Sequence, residues 1–277
     1  MQRIHLAYDS LPEGERRVAD LALESPGELA MWSAGELAAR AGVSAATVSR
    51  FVRRLGYAGY EAARRDARAM REGGSPLFRA EPAAGASPPQ GAVARHLAAE
   101  TAAIERTLSQ LDPVALDEIA ASLAEAPRVR VLGWRNSHFA AEYLRSALAV
   151  CRPGVQMIGW GGQTAAESLG EIRPGDMAVA FGLRRRPRGF AAQIEALAAA
   201  GADVALISDP TLRGTAVAAA RWRLACAVET PQAFDTLAGA MALARLLMTT
   251  TMARLGPEGR RQLERVERLH ETLDDLE

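Results

Sequence analysis

Two hydrophobic patterns follow one another along the chain. Up to about residue 72, apolar residues recur at helical spacing in short segments, which predicts an all-α region. After residue 127, short and continuously apolar runs alternate with helical segments, a pattern typical of a parallel sheet covered on both faces. The predicted strands span residues 129–133, 155–158, 177–181, 204–207 and 223–226.

Helical segments fill the rest of the second region. The predicted helices span residues 92–111, 113–126, 137–150, 164–169, 188–200, 215–220, 232–254 and 257–276. The first two precede the first strand, so we interpret them as a packing or dimer-forming arm.

Residues 73–91 separate the two patterns. Their sequence, GGSPLFRAEPAAGASPPQG, is rich in Gly, Pro, Ala and Ser, the composition of a linker. The chain is therefore predicted to have an all-α domain over 1–72, a linker over 73–91 and an α/β domain over 92–277.

Composition narrows the function only weakly. The 277 residues include 33 basic and 33 acidic side chains, so the net charge is zero and does not point to a nucleic acid or any other charged partner. Any binding of a charged partner must therefore depend on a local cluster of charges. The two cysteines, Cys151 and Cys226, lie far apart without histidines at metal-ligand spacing. We predict no disulfide framework, no metal site, no cofactor and no catalytic residue. Without a signal peptide or an apolar run of about 18 residues, a cytoplasmic protein with no membrane partner is expected.

A helix-turn-helix pattern occupies residues 33–56. Gly42 suits the positive φ of a tight turn, and Ser44 suits the cap of a second helix. The apolar positions of the two helices fall on faces that can pack together: Leu37, Ala38, Ala41, Val48, Phe51, Val52 and Leu55.

The outward face of the second helix has the composition of a DNA-reading surface. Small residues permit close approach to a groove, while hydroxyls and guanidinium groups supply donors to base edges and phosphates. The predicted DNA-binding residues are Ser44, Ala45, Thr47, Ser49, Arg50, Arg53, Arg54 and Tyr57. Seven arginines against two acids between residues 50 and 71 agree with this interpretation. The alternative is an ordinary helical hairpin with a solvated basic face.

Residues 11–68 resemble the N-terminal domain of RpiR/MurR-type bacterial transcriptional regulators. The similar features are the entry helix with ERRVAD, the segment ELAARAGVSAATVSRFVRRLGY, and the GY that opens another helix. The resemblance implies a DNA-binding helix-turn-helix domain, a linker, and a sugar-isomerase-type (SIS) domain that senses phosphosugars. It also implies a doubly wound, flavodoxin-like five-stranded parallel sheet in the order 2-1-3-4-5.

The SIS-like domain is also expected to form the oligomer. A homodimer or higher homo-oligomer is expected, and because a dimer presents two recognition helices, its double-stranded DNA operator should be palindromic.

Ligands of such a sheet bind outside the carboxyl ends of the strands, where the strand order reverses. The two loops at that point are residues 133–138 and 182–188. The predicted ligand-binding residues are Arg135, Asn136, Ser137, His138, Arg184, Arg185, Arg186 and Arg188. The resemblance implies a Ser-x-Ser-Gly-x-Thr type stretch in the second loop, with hydroxyls that cradle a sugar phosphate, but this chain has GLRRRP at residues 182–187.

The arginine-rich loop leaves two interpretations open. The arginines can grip a small anionic effector, such as a sugar acid, a carboxylate or a phosphosugar, through charge-assisted bidentate hydrogen bonds. Alternatively they point to solvent, or pair with acids across a dimer interface, and the domain is only a scaffold. The corresponding functions are a metabolite-sensing transcriptional regulator and a ligand-blind dimeric DNA-binding protein. A third, a sugar-phosphate isomerase with a helical extension, is disfavoured by the missing hydroxyl cradle, so no enzyme activity is expected.

Overall fold

The computed structural model describes residues 1–79 and 91–276, except for the side chain of Gln2. These residues divide into two compact units. One lies within Met1–Arg95 and Glu229–Asp235, and the other within His96–Val228 and Thr236–Glu277.

The first unit is helical where described. Its helices are α1 (Gln2–Ala7), α2 (Glu13–Glu24), α3 (Ala34–Arg40), α4 (Ala45–Arg54), α5 (Tyr60–Glu72) and α6 (Pro76–Arg79), with 3₁₀ turns at Tyr8–Ser10 and Glu28–Ala30. Its core joins Val18 of α2, Leu37 of α3 and Phe51 of α4. The predicted all-α fold is confirmed.

The predicted helix-turn-helix consists of α3 and α4. Gly42 has a φ of 64° in the turn, where L-residues with a side chain are strained. Ser44 caps α4, and Val48, Phe51 and Val52 of that helix are buried as predicted. Packing of this apolar face against α2 and α3 leaves the opposite face of α4 at the surface.

Part of the predicted linker packs against the first unit. Residues 76–79 form α6, and the buried ring of Phe78 lies against Ala30 and Ala67. Residues 80–90 lie outside the described part of the chain, so the boundaries of the linker stay a prediction.

The second unit contains a five-stranded parallel sheet. Its strands are β1 (Val129–Gly133), β2 (Val155–Met157), β3 (Met177–Gly182), β4 (Asp203–Ser208) and β5 (Trp222–Ala225). Its helices are α7 (Ala92–Leu108, from His96 onward), α8 (Pro113–Glu125), α9 (Asn136–Ala149), α10 (Ala165–Gly170), α11 (Phe190–Ala199), α12 (Thr215–Ala219), α13 (Ala238–Leu255) and α14 (Pro257–Leu273).

The sheet is doubly wound. The strand order is β2-β1-β3-β4-β5, which confirms the predicted topology. On one face, Val131 and Val179 pack with residues of α8, α9 and α13; on the other, Leu132 and Ala180 pack with residues of α10, α11 and α12. Because β1 and β3 are neighbours in register, with Gly133 opposite Phe181, the loops that follow them start side by side.

Two helices begin later than the sequence predicts. The helix predicted from residue 232 begins at Ala238, because Thr236 bonds back to Val228 and its hydroxyl accepts from Ala238 N. The helix predicted from residue 188 begins at Phe190, two residues later. Phe190 N donates to Pro187 O in a turn that precedes α11.

The two cysteine thiols are both buried, and burial raises the pKa of Cys226 to about 11.

Over the ranges that the structure describes, no helix combines the length and apolar composition needed to cross a membrane.

Candidate DNA-binding and ligand-binding sites

A chain of polar contacts runs along the outer face of α4. Ser44 Oγ accepts a hydrogen bond from Thr47 N at 3.2 Å and lies 3.0 Å from Thr47 Oγ1. Arg50 Nη2 in turn donates to Thr47 Oγ1 at 3.1 Å. These contacts hold the exposed Arg50 side chain against the first turn of the helix, where a hydroxyl and a guanidinium group are presented together.

The predicted DNA-binding residues differ in exposure. Ser44, Ala45, Arg50 and Arg53 are exposed, whereas Thr47 and Ser49 are half-buried. All of them lie on α4 or its cap, so the structure brings these predicted residues onto one surface.

Arg54 has a structural partner that the sequence alone did not reveal. Its Nε donates to Glu15 Oε2 at 2.8 Å, and the Glu15 side chain is only 4% exposed. The hydrogen bond to Glu15 raises the pKa of Arg54. Arg54 therefore neutralises a buried carboxylate of α2. Nothing in the spacing of charged residues around Arg54 indicates this partner in the sequence.

Tyr57 is also engaged within the unit. Its hydroxyl donates to Asp66 Oδ2 at 2.6 Å, and the Arg3 guanidinium lies 4.7 Å from the ring centroid. Burial and the hydrogen bond to Asp66 raise the pKa of Tyr57 to about 12, so the phenol stays neutral. The hydroxyl is oriented towards α5.

The arginines of α5 are not all turned outward. Arg68 Nε donates to Ala30 O at 2.9 Å, and Arg64 Nη2 donates to Met31 O at 3.0 Å. These two arginines therefore satisfy backbone carbonyl groups at the end of the 3₁₀ turn Glu28–Ala30. Arg65 and Arg71 are exposed and add positive charge to the surface of α5.

The caps of α3 and α4 provide a matched pair of substitutions. Ser33 and Ser44 each cap a helix, so Ser33→Ala and Ser44→Ala should each lower the free energy of unfolding by about 1 kcal/mol. Only Ser44→Ala should also weaken DNA binding, because Ser44 lies beside Thr47 and Arg50. Denaturant unfolding and fluorescence anisotropy with labelled DNA would measure the two effects. Equal losses of DNA affinity in both variants would contradict the assignment of the α4 surface.

The two predicted ligand loops of the second unit meet at the carboxyl ends of β1 and β3. Leu183 N donates to Ser137 Oγ at 3.2 Å, so the buried Ser137 hydroxyl joins the loops. Glycines permit this approach: a Cβ on Gly133 would lie 2.5 Å from Ser137 O, and one on Gly182 would lie 2.5 Å from the Phe190 ring.

Two of the loop arginines turn back towards Asp209, which follows β4. Arg186 Nη1 lies 2.5 Å from Asp209 Oδ2, and Arg184 Nε lies 3.9 Å from Asp209 Oδ1. The side chains of Arg184, Arg186 and Asp209 are 7%, 17% and 0% exposed, respectively. Arg186 Nη2 also donates to Thr211 Oγ1 at 2.8 Å. The buried carboxylate was missed in the sequence, although an aspartate directly after an apolar strand is a usable signal.

The other predicted ligand residues remain accessible. Arg135, Asn136, Arg185 and Arg188 are exposed, and His138 is half-buried with its ring edge-on to Phe139. Arg135 and Arg185 have φ values of 57° and 62°. Such conformations cost a non-glycine residue about 1–3 kcal/mol, so the surrounding loops must hold these two arginines in place. Arg135 lies two residues before Ser137, and Arg185 two residues after Leu183, the residues that join the loops.

Within the part of the chain that the structure describes, no group of three or more His, Cys, Asp or Glu side chains could hold a metal ion. At the carboxyl ends of β1 and β3, three exposed guanidinium groups belong to the two loops: Arg135, Arg185 and Arg188.

Comparison with known proteins bears on the first unit. A family model described as a helix-turn-helix domain of the rpiR family matches residues 1–66. Residues 1–66 are therefore similar to the helix-turn-helix domain of the rpiR family. The α3–α4 pair and the α4 surface described above lie inside the matched residues, which confirms the predicted resemblance.

One curated relative matches part of the chain. It is an uncharacterized HTH-type transcriptional regulator in the aarA 3′ region of Providencia stuartii, 34% identical over 131 residues. The match covers 46% of this chain, and the chain spans 45% of that relative's length.

Two solved structures are similar to the chain. The sugar isomerase domain of an RpiR transcription factor from Sphaerobacter thermophilus has a TM-score of 0.60 at 21% identity, and the match covers 65% of this chain and 99% of that one. The Vibrio vulnificus NanR protein, solved in complex with ManNAc-6P, has a TM-score of 0.59 at 19% identity, and the match covers 98% of both chains. These likenesses establish an SIS-type fold that follows the helix-turn-helix domain along the chain.

Proposed function

We propose that the chain is a DNA-binding transcriptional regulator whose SIS-type domain binds a small anion and forms a homodimer. The observation that carries the proposal is the α4 surface of a domain similar to that of the rpiR family, where Ser44, Thr47 and Arg50 form one polar row at the surface. A recognition helix reads base edges with its N-terminal residues, and this row runs from the cap of α4 to the sixth of its ten residues.

The basic groups around α4 supply the non-specific part of DNA affinity. Arg53 follows Arg50 by about one turn, and the exposed Arg65 and Arg71 extend the positive surface along α5. Guanidinium contacts with phosphates release counterions, so affinity should fall steeply with salt. Because a homodimer presents two copies of α4, its operator should have two inverted half-sites.

Selection of bound duplexes from a randomised pool by the full chain tests this function. We expect enrichment of one palindromic motif, with half-sites separated by about one helical turn or a multiple of it. Recovery of unrelated sequences in proportion to their starting abundance would contradict sequence-specific binding.

The proposed effector is a small anion that binds at the carboxyl ends of β1 and β3. Arg135, Arg185 and Arg188 are exposed there, and the N-terminus of α9 adds its partial positive charge. The NanR protein of the same fold is complexed with a phosphosugar, which supports an anionic ligand in this class of domain. Arg186 is held by Asp209, so we assign effector contact to the three exposed arginines.

A thermal-shift screen with phosphosugars, sugar acids and dicarboxylates tests the effector. A ligand that binds only the folded chain should add about 2.7 kcal/mol of apparent stability at 100 times its Kd. The combined substitution of Arg135, Arg185 and Arg188 by alanine should abolish that gain, whereas Arg223→Ala, which removes an exposed arginine of β5, should leave it unchanged. No stabilisation by any anion, with DNA binding intact, would favour the ligand-blind scaffold.

We propose no isomerase activity. Isomerisation of a sugar phosphate needs a positioned general base beside a bound substrate. At the strand ends, His138 packs against Phe139 and the second loop has arginines in place of the hydroxyl cradle. An assay for aldose-ketose conversion should therefore give no turnover above the buffer rate.

A further inference from the structure

A glycine-rich turn between β2 and α10 presents a tryptophan to solvent. Residues 159–162 have the sequence GWGG, and Trp160 is 58% exposed. Gly159, Gly161 and Gly162 have φ values of 73°, 66° and 87°, a conformation that strains residues with a side chain. The backbone of the turn therefore depends on its glycines, and the indole is the one large side chain that it carries.

Contacts on both sides hold this turn in place. Gly159 N donates to Ser168 Oγ at 3.0 Å, and the Ser168 hydroxyl donates to Gln163 Oε1 at 3.2 Å. Gln163 N donates to Trp160 O at 3.2 Å. A Cβ on Gly159 would lie 2.8 Å from the Trp134 ring, so the start of the turn packs directly on that indole. The backbone that carries Trp160 is thus ordered before any ligand binds, which lowers the cost of binding.

A cavity opens beside this tryptophan. Its volume is about 300 Å³, at the lower end of the usual size of small-molecule pockets. None of its described lining residues belongs to the loops at 133–138 and 182–188, so it is separate from the proposed anion site. Its side chains combine one aromatic ring, two amides and two charged groups: Trp160, Gln156, Gln163, Arg145 and Glu171.

The outer edge of β2 contributes backbone groups to the same cavity. In the described sheet, β2 is an edge strand next to β1. Alternate residues of a strand bond to a parallel neighbour, and Gly154 O and Ile158 N bond to β1. The peptide groups of Val155 and Met157 therefore face away from β1, and both residues line the cavity. They offer N–H donors and C=O acceptors in fixed positions.

The charged side chains of the cavity already have partners. Arg145 pairs with Glu142, and Glu171 pairs with Arg130, whose guanidinium is buried. The lining thus contains one positive and one negative side chain, and each is neutralised by its own partner. A charged ligand would lose hydration here without gaining an uncompensated opposite charge. The cavity therefore favours an uncharged ligand.

We propose that this cavity binds a neutral sugar ring, which stacks on Trp160. An indole offers a broad apolar surface, and a sugar ring presents C–H groups on its faces and hydroxyl groups around its rim. The hydroxyl groups can bond to the amides of Gln156 and Gln163 and to the peptide groups at the edge of β2, which supply both donors and acceptors. This site is additional to the proposed anion site and does not depend on it.

Saturation-transfer NMR of the full chain with four probes tests the site: the methyl glycosides of glucose, galactose, mannose and N-acetylglucosamine. We expect transfer to the ring C–H protons of at least one glycoside, and titration of that glycoside gives its Kd. Trp160→Ala should raise the Kd at least about tenfold, because truncation of a stacked tryptophan removes a dominant contact. Phe139→Ala, which removes another exposed aromatic ring of the second unit, should leave the Kd unchanged. Native-like circular dichroism spectra would show that both variants fold.

A second variant keeps the test independent of the turn. Gln156→Ala, at an exposed position of β2, should raise the Kd about threefold or more, because it removes a hydrogen-bonding amide. No transfer to any of the four glycosides would overturn the sugar site. An unchanged Kd in both Trp160→Ala and Gln156→Ala would also overturn it. Neither result would affect the proposed regulator or its anionic effector.

Two comparisons fix the place and the ligand class. The combined substitution of Arg135, Arg185 and Arg188 by alanine should leave glycoside binding unchanged, and its loss in that variant would assign the sugar to the anion site and overturn the second site. The methyl glycoside of glucuronic acid should bind no more tightly than that of glucose, because the cavity has no uncompensated positive charge among its described lining residues. Tighter binding of the acid would overturn the neutral ligand class.

Discussion

Replacing Arg50 and Arg53 together by alanine should lower the affinity for a selected operator about 10²–10⁴-fold, because each guanidinium that reads a base or a phosphate contributes about 1–3 kcal/mol. The slope of log affinity against log salt should also become less steep by about one unit for each phosphate that is no longer neutralised. Both residues are exposed on α4, so the fold should survive the change. Titrations of labelled operator at several salt concentrations measure both quantities.

A matched control removes two arginines from elsewhere. Arg223→Ala with Arg245→Ala takes the same charge from β5 and α13 of the second unit. Operator affinity should then change by less than about threefold, because neither arginine belongs to the unit that contains the helix-turn-helix. Comparable losses in both double variants would mean that net charge, and not the α4 surface, determines binding.

Asp209→Asn should destabilise the second unit by about 3–5 kcal/mol. The Asp209 side chain is fully buried and is 2.5 Å from Arg186, and asparagine would leave that guanidinium buried without its carboxylate. The amide NH₂ would also face the Arg186 donors. Unfolding in urea, followed by fluorescence of Trp134, Trp160 and Trp222 in the second unit, would measure the loss.

Asp203→Asn provides the comparison. Asp203 pairs with Arg221 at 2.7 Å, but the two side chains are 42% and 54% exposed, so solvent screens the pair. This change should cost about 0–1 kcal/mol. Equal costs for the two substitutions would show that the burial of Asp209 does not determine the strength of its contacts.

The fold could be predicted from the sequence because its signals are local and regular. The apolar runs at 129–133 and 177–181 are short and alternate with helical segments, which favours buried strands over buried helices, and the structure has strands there with ends within one residue. Gly42 and Ser44 likewise identified a turn and a cap from residue chemistry alone. The strand order came from the family resemblance, since apolar runs do not specify which strands are neighbours.

The candidate sites could be predicted only in part, because side-chain partners depend on contacts between distant segments. Arg54 was predicted to contact DNA and Arg186 to contact a small ligand, yet Arg54 pairs with Glu15, 39 residues away, and Arg186 with Asp209, 23 residues away. Ser137 was expected to face an anion, but its hydroxyl accepts from Leu183 N. In each case the residue type was compatible with two roles, and only the tertiary structure distinguishes them.

The arginine-rich loop illustrates the same point within a single segment. Four arginines occur among residues 184–188, and the sequence gives them equal status. The structure divides them by direction: Arg184 and Arg186 turn inward to a buried acid, while Arg185 and Arg188 are exposed. The second pair, with Arg135, carries the effector proposal.

The central claim is tested most directly by comparing two affinities of the chain. One is for the selected palindromic duplex, and the other is for a scrambled duplex of equal length and composition. Both should be measured with the full chain at one physiological salt concentration. A sequence-specific regulator is predicted to give a ratio of about 10³ or more. A ratio near one would mean that the basic surface binds DNA without reading it, which would contradict the proposed regulator.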